Sequence, residues 1–162
     1  MKENYNLALE QLKALFEGEH DEIAVLSNAA ALIKEATGYF WVGFYVVRGD
    51  ELSLGPFQGS VACMHIAYGR GVCGTAWKER RTIVVDDVHQ FPGHIACSSL
   101  SQSEVVTPLF NANGDVMAVL DVDSKLLADF SPDDVAFLES AAAIVGNSIY
   151  VYSSACYEDK RR

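Results

Sequence analysis

"SEVVTPLFNANGDVMAVLDVD", residues Ser103–Asp123, contains two segments rich in β-branched residues on either side of Asn113-Gly114. Asn-Gly is the strongest short-range signal of a β-hairpin, because both residues accept the positive φ angles of a tight turn. The stretch therefore predicts two antiparallel strands. If Asn113 and Gly114 form a two-residue turn, counting outward places Glu104 opposite Asp123 and Val106 opposite Asp121.

This register predicts a cluster of acids. Glu104, Asp121 and Asp123 share one face of the hairpin, since side chains two residues apart on a strand point to the same side. The same face also carries apolar side chains, namely Val106, Phe110, Met117 and Val119. Opposed like charges destabilise a sheet, so the cluster needs a cation, a shared proton or a ligand. The alternative is three solvated acids at a sheet end, and a bulge or a distortion at Pro108 would change the register.

The rest of the chain predicts helices around a sheet. Apolar residues spaced three and four apart indicate two N-terminal helices, one carrying Tyr5, Leu9, Leu12 and Phe16 and the next carrying Ile23, Leu26, Ala30 and Ile33. Four further strands are predicted from "YFWVGFYVV", "LSLGPF", "ACMHIA" and "TIVVDD". The segment "GRGVCGTAWKERR" predicts a glycine-rich loop that continues as a short helix.

A last helix is predicted after "SPDD". Ser131 suits the N-cap, Pro132 suits the first helical position, and Asp134 completes a capping box. Apolar positions then recur at helical spacing at Val135, Leu138, Ala142, Val145, Ile149 and Tyr152. The element order predicts one α+β domain, with an antiparallel sheet of about six strands and the N-terminal and C-terminal helices packed on one side.

Composition excludes several classes of function. The chain has 162 residues, half of them hydrophobic, and a net charge of −10 without a basic stripe. This charge argues against nucleic acid or an anionic membrane as a partner, since both favour clustered Lys and Arg. The N-terminus is too acidic for a signal peptide, and the uncharged run 140–157 favours a buried helix over a membrane span. We expect a cytoplasmic protein, in which disulfides are catalytic rather than structural.

The cysteines raise the question of reactivity. Cys97 follows "FPGHIA", an irregular segment where exposure favours reactivity, whereas Cys63 lies in a predicted strand and Cys73 in the glycine-rich loop. Cys156 follows the last helical pattern and receives no role. One alternative is a zinc site with His65 and His94, but no C-x-x-C pair supports it. A cysteine peptidase is another, but its base cannot be assigned. An inert cysteine is the third.

Several motifs together resemble one known family. "GPFQGSVACMHIAYGRGVCGTAW", "DDVHQFPGHIACSS", "SEVVTPLF" and "GDVMAVLDVDS" closely resemble the free methionine-R-sulfoxide reductases, which are built on a GAF-type domain. The resemblance extends from about Leu12 to Tyr150. It matches Cys63, Cys73 and Cys97 to the family's cysteines, Trp41 to an aromatic pocket wall, and Glu104, Asp121 and Asp123 to substrate-binding acids. Ser98 departs from the acidic residue that usually follows the loop cysteine.

The resemblance implies a redox mechanism without a cofactor or a metal. A cysteine removes the sulfoxide oxygen as a sulfenic acid, a second cysteine forms a disulfide, and thioredoxin restores the thiols. It implies Cys97 as the nucleophile, Cys63 as the resolving thiol, and Cys73 as either a second resolving thiol or an alternative nucleophile. The acids bind the substrate ammonium, one of them protonates the departing oxygen, and the "GRGVCG" amides receive the carboxylate. The resemblance also implies a single GAF-type domain over residues 1–162 and the pairing of two copies as a homodimer. The alternative is a non-catalytic GAF module for ligand binding or redox sensing.

Overall fold

Six strands form one antiparallel sheet in the computed structural model, which describes residues 2–95 and 97–152. The strands are β1 Trp41–Arg48, β2 Glu51–Gln58, β3 His65–Ala67, β4 Ile83–Val85, β5 Ser103–Phe110 and β6 Val116–Ser124. Their order across the sheet is β3-β2-β1-β6-β5-β4, and every neighbouring pair is antiparallel. The predicted α+β class and strand number are confirmed.

Helices cover both faces of the sheet. The helices are α1 Glu3–Leu15, α2 Glu22–Thr37, α3 Gly71–Glu79 and α4 Pro132–Gly146, with a 3-10 turn at Val88–Gln90 and a π-helical turn at Asn147–Val151. α2 and α4 pack against one face of the sheet, and α1 packs across them, which confirms the predicted placement of the terminal helices. α3 and the long segment between β4 and β5 lie over the opposite face.

The alternation of side chains along β1 separates two apolar clusters. Val42, Phe44 and Val46 face α2 and α4. Trp41 and Tyr45 face the other way, toward α3. Because successive strand residues point to opposite faces, a single strand contributes both to the main core and to the wall of the α3 side.

The β5–β6 hairpin has the predicted register but not the predicted turn. Asn111 pairs with Asp115 through a backbone hydrogen bond of 2.9 Å, so residues 112–114 form a three-residue loop with Gly114 at φ +80°. A register shift between Leu109 and Phe110 compensates for the extra loop residue, and the pairing from Leu109 back to Ser103 is as predicted. A three-residue loop with a left-handed glycine and a bulge is a common hairpin connection.

The bulge changes one residue on the acidic face. Phe110 pairs with Val116, and Val116 joins the apolar cluster beside Val106 and Val119. Met117, which the two-residue turn placed there, is not part of that cluster.

Three predicted helix and strand details also differ. Ile23 lies in the first turn of α2 and is 70% exposed, whereas Val25 and Ala29 are buried. α3 begins at Gly71, within the segment predicted as a loop, and β3 contains only three residues. The predicted helical face of α4 is buried at Leu138, Ala142 and Val145.

The apolar character of the last helix is explained by the core. The helical stretch Pro132–Val151 is long and apolar enough to span a membrane by length and composition. Its buried residues nevertheless pack with α1 and β5 in the main cluster. The predicted buried helix is therefore present as far as Gly146, whereas the π-helical turn Asn147–Val151 has no buried residue. Cys156 lies outside the described residues.

The capping box at α4 is part of a buried network. Asp134 accepts hydrogen bonds at 2.8 Å from the Ser131 amide and hydroxyl, and its other oxygen accepts from Tyr5 at 2.7 Å and Lys2 at 2.9 Å. Burial alone would raise the pKa of Asp134, but these hydrogen bonds together hold it well below its usual range. The ionised carboxylate thus connects α1 to the start of α4.

We expect Asp134→Ala to destabilise the fold by about 2–4 kcal/mol, because it removes a helix cap and leaves a buried tyrosine hydroxyl without its acceptor. Urea unfolding at neutral pH measures the loss, with Glu139→Ala on the exposed side of α4 as the matched control. Because the pKa of Asp134 is depressed in the folded state, this stabilisation is present above the ordinary pKa of about 3.9 and disappears as pH falls further. Equal stability of the two variants would contradict the network's role.

Candidate active site

Three acidic side chains converge on the sheet face that α3 covers. Glu104 on β5 lies opposite Asp123 on β6, and Asp121 lies opposite Val106, as the sequence predicted. Glu104 and Asp121 are each only 6% exposed, and Asp123 is partly buried. Burial of this degree contradicts the alternative of three solvated acids, since unpaired carboxylates are seldom removed from water.

Burial and mutual repulsion make these carboxyl groups hard to ionise. Desolvation, followed by the charges of Asp121 and Asp123, raises the pKa of Glu104 well above its ordinary value. Desolvation and then Asp121 raise the pKa of Asp123, although the Ser101 hydroxyl donates a 2.5 Å hydrogen bond to its Oδ1. Burial also raises the pKa of Asp121, while interactions with Glu104, Cys73 and Asp123 oppose that effect. The three carboxyl groups therefore titrate as a set, and each ionises less readily than an isolated acid.

Trp41, at the start of β1, forms an aromatic wall beside the acids. Its ring stacks with those of Phe57 and Tyr45, at 5.2 and 6.1 Å between centroids. Its Nε1 donates to the carbonyl of Ser60 at 2.9 Å, which fixes the plane of the indole. A Cβ at Gly43 would lie 2.5 Å from Cη2 of Trp41, so a side chain at this position would displace the ring.

Two of the predicted reactive cysteines form a disulfide. Cys63 follows β2 and Cys97 lies in the segment between β4 and β5, and their Cα atoms are 5.5 Å apart. The hydroxyl of Tyr45 donates a 2.9 Å hydrogen bond to the carbonyl of Cys63, which connects the aromatic wall to the disulfide. Cys63 was predicted in a strand, but β3 begins only at His65. Cys63 therefore lies in irregular chain between β2 and β3.

Cys73 is free and lies on α3. It is 4% exposed, and burial, followed by the charge of Asp121, raises the pKa of its thiol well above the ordinary value. A thiol with a raised pKa is protonated at neutral pH and is a poor nucleophile. Cys73 therefore contributes a neutral, polarisable wall to the site while Cys63 and Cys97 are joined.

A cavity of about 570 Å³, including its opening to solvent, lies between these groups. Residues in its wall include Trp41, Tyr45, Arg70, Gly71, Val72, Cys73, Cys97, Ser98, Ser101, Glu104, Asp121 and Asp123. The start of α3 at Gly71 lies in this wall. The first backbone N–H groups of a helix have no acceptor inside the helix, so they can donate hydrogen bonds to an anion. The cavity thus combines a buried acid cluster, an aromatic face, an anion-favouring helix end and a redox-active cysteine pair.

Nearly all of the predicted site residues meet at this cavity. Trp41, Cys73, Cys97 and the three acids line it, while Cys63 reaches it through its bond to Cys97. The sequence analysis missed Tyr45, Ser101 and Arg70. Tyr45 was discoverable, because it lies on the same face of β1 as Trp41. Ser101 and Arg70 precede β5 and α3 in irregular chain, where periodicity carries no signal.

The zinc alternative with Cys63 and Cys97 is not supported. The two sulfurs are bonded to each other, so neither offers a thiolate to a metal in this oxidation state. Nδ1 of His65 pairs with Glu51 at 3.0 Å, away from the cavity. Burial lowers the pKa of His94, which keeps that ring neutral within the cavity wall.

Comparison with known proteins identifies consistent relatives. The GAF domain profile matches residues 21–149. "GAF domain-containing protein A" of Dictyostelium discoideum is 49% identical over 147 residues, covering 90% of this chain and 92% of that protein. The "Free methionine-R-sulfoxide reductase" of Escherichia coli is 47% identical over 122 residues, covering 75% of this chain and 73% of that protein.

A solved structure agrees with this similarity. The free methionine-R-sulfoxide reductase of Neisseria meningitidis, determined in complex with its substrate, superposes with a TM-score of 0.85 at 50% identity. The alignment covers 89% of this chain and 87% of that one.

Proposed function

Because this chain belongs to the GAF domain family and, within it, to the free methionine-R-sulfoxide reductases, we propose that it reduces free L-methionine-R-sulfoxide to L-methionine. One observation carries the proposal: a Cys63–Cys97 disulfide forms at the same cavity that holds a buried acid cluster with raised carboxyl pKa values. A ligand-binding module needs a cavity but no dithiol, whereas sulfoxide reduction needs both a proton donor and two thiols.

We propose that Cys97 attacks the substrate. Its thiolate bonds to the sulfoxide sulfur while an acid protonates the sulfoxide oxygen. The resulting hydroxyl then moves from the substrate sulfur to the Cys97 sulfur as the bond between the two sulfurs breaks, which releases methionine and leaves a sulfenic acid at Cys97. The Cys63 thiolate then attacks the Cys97 sulfur, and the hydroxide leaves as water after protonation. The substrate gains two electrons and the enzyme retains a disulfide. The Cys63–Cys97 bond in the structure supports this assignment, because it is the expected end state.

The acids serve two purposes in the proposed mechanism. Asp121 interacts with both Glu104 and Asp123, and it attracts the substrate ammonium. A neutral carboxylic acid in the same cluster donates the proton that the departing oxygen needs, which the raised pKa values of Glu104 and Asp123 support. Such a division between a charged and a neutral acid is expected of carboxyl groups that cannot all ionise together.

The remaining contacts orient the substrate. Trp41 covers the methyl group, and the start of α3 beside Arg70 receives the carboxylate, which both charge and unpaired amides favour. Cys73 is a second resolving thiol rather than the first nucleophile, because burial keeps it protonated. The free ammonium and the free carboxylate are therefore recognised by separate groups of the cavity.

We propose that thioredoxin reduces the disulfide, since a catalytic disulfide needs an external dithiol for each cycle. We also propose that residues 1–162 form a single GAF-type domain, that the protein is cytoplasmic, and that it forms a homodimer through its terminal helices. Exposed apolar side chains on this side, at Leu7, Leu15 and Ile23, support the dimer. Such side chains favour contact with a second copy, because they are otherwise left in water.

We expect the enzyme to neglect substrates without a free ammonium. The thioredoxin-coupled rate with N-acetyl-methionine-R-sulfoxide should be at least about 100-fold below that of the free amino acid, because the buried acids would lose their cation. The S epimer should also be inactive. The assay follows oxidation of reduced thioredoxin and product methionine with each substrate in turn. Comparable turnover of the acetylated substrate contradicts the acid assignment, and zero turnover of every sulfoxide favours a binding or sensing module.

A further inference from the structure

Cys73, Glu104 and Asp121 form a set of metal-ligand atoms within the cavity. The sulfur of Cys73 and one carboxylate oxygen from each acid lie within 4.8 Å of one another. All three side chains line the cavity, and each is more than nine-tenths buried. They come from three different elements, α3, β5 and β6, so the fold rather than local sequence brings them together.

An unpartnered oxygen points to a ligand at this position. Oδ1 of Asp121 is buried and accepts no hydrogen bond from an amide or a hydroxyl group of any residue that the structure describes. An acceptor that is buried without a partner costs about 1–3 kcal/mol, and more when it is charged. A positive charge at the cavity side of Asp121 removes this cost.

We propose that Cys73, Glu104 and Asp121 bind a divalent metal ion of the zinc type, in competition with the substrate ammonium. One thiolate and two carboxylates suit an ion that accepts both sulfur and oxygen. Zn–S and Zn–O bonds of about 2.3 and 2.1 Å in a tetrahedral site separate ligands by about 3.5 Å. An inward shift of about 1 Å satisfies this geometry and leaves the fourth position open to the cavity.

Charge explains why such an ion competes well. A divalent ion supplies two positive charges to the closely spaced ligand atoms of Cys73, Glu104 and Asp121, whereas an ammonium supplies one. Metal binding displaces the proton of the Cys73 thiol, and only a metal that bonds strongly to sulfur compensates for this loss. Mg²⁺ and Ca²⁺ therefore bind weakly at this site. The competition with substrate rests on the proposed function, but the metal binding itself does not.

The site exists in the oxidised enzyme. Cys63 and Cys97 are joined in the structure while Cys73 remains free. Metal binding to the oxidised chain therefore reports on Cys73 without interference from the catalytic pair. The sequence has one further cysteine, Cys156, and its replacement by serine leaves Cys73 as the single cysteine outside the disulfide.

Cobalt(II) is the probe, because a thiolate bound to Co²⁺ gives a charge-transfer absorption in the near ultraviolet. We expect oxidised Cys156→Ser protein to develop this band with one equivalent of Co²⁺ and to lose it when Zn²⁺ is added. Cys73→Ser in the same background should show no band. Asp121→Asn should weaken binding at least about tenfold while the thiol remains. His65→Ala, which removes an exposed imidazole beside Glu51, is the matched control and should bind as the parent does.

The results separate this proposal from the catalytic one. No band in the parent protein, or an unchanged affinity in Asp121→Asn, overturns the metal site. Free methionine sulfoxide added to the cobalt protein should bleach the band, and a band insensitive to saturating substrate overturns the shared position. Turnover of the metal-free enzyme is measured separately. Absence of metal binding therefore leaves the reductase assignment intact, and absence of turnover leaves the cobalt result interpretable.

Discussion

Cys97→Ser yields no methionine from free methionine-R-sulfoxide, even in a single turnover with enzyme in excess. The hydroxyl of serine is not ionised at neutral pH and does not form a sulfenic acid, so the first step fails entirely. The measurement is methionine formed per enzyme without reductant, together with mass spectrometry of the product protein. Loss to the detection limit is expected.

Cys63→Ser separates the two steps. It should release about one methionine per enzyme, because the Cys97 sulfenic acid still forms, but thioredoxin-driven cycling should be impaired. Cys156→Ser should change little and serves as the matched control. Stoichiometric methionine from Cys97→Ser would reassign the nucleophile, with Cys73 as the next candidate.

Asp121→Asn and Glu104→Gln should each lower kcat/KM by at least about tenfold, equivalent to about 1.4 kcal/mol of transition-state stabilisation. Each change removes either attraction for the ammonium or the proton that the leaving oxygen requires. Steady-state kinetics measure the loss, and Glu10→Gln on the exposed side of α1 is the matched control. Near-native kcat/KM in both cluster variants would show that the buried acids do not touch the substrate.

The same variants should not destabilise the fold. The pKa values of Glu104, Asp121 and Asp123 are raised in the folded state, so above pH of about 4 the folded chain binds more protons than the unfolded chain. Stability therefore decreases as pH rises from about 4 toward the raised pKa values. Asp121→Asn removes part of this dependence and should be as stable as the parent at neutral pH, or more stable. Urea unfolding of the parent and of Asp121→Asn at about pH 5 and about pH 8 measures how the free energy of unfolding of each protein changes with pH.

The hairpin shows how far the sequence can be interpreted. Asn113-Gly114 predicted a two-residue turn, and the structure has three loop residues with a compensating bulge. The register at Glu104, Asp121 and Asp123 was nevertheless correct, because the bulge between Leu109 and Phe110 offsets the extra loop residue before the pairing reaches the acids. The exchange of Met117 for Val116 was beyond prediction, since loop length depends on backbone geometry that side-chain patterning does not encode.

Long-range contacts account for the other failures. No sequence pattern around Cys73 indicates that α3 places its thiol beside Asp121. Ser101 precedes β5 in irregular chain, where side-chain periodicity gives no prediction. Ile23 fits the helical spacing of α2 but lies in its first turn and is 70% exposed. Helical spacing predicts a face, whereas burial requires a partner on that face.

The Cys63–Cys97 bond closes a loop of 34 residues. On a chain-entropy estimate, a crosslink of this span destabilises the unfolded chain by about 4 kcal/mol. That amount is a substantial fraction of the net stability of an ordinary domain. Each catalytic cycle therefore moves the protein between a more durable and a more fragile form. The enzyme is most resistant to heat and proteases when reductant is scarce and the disulfide is present. It is most vulnerable when Cys63 and Cys97 are both reduced and ready for the next reaction.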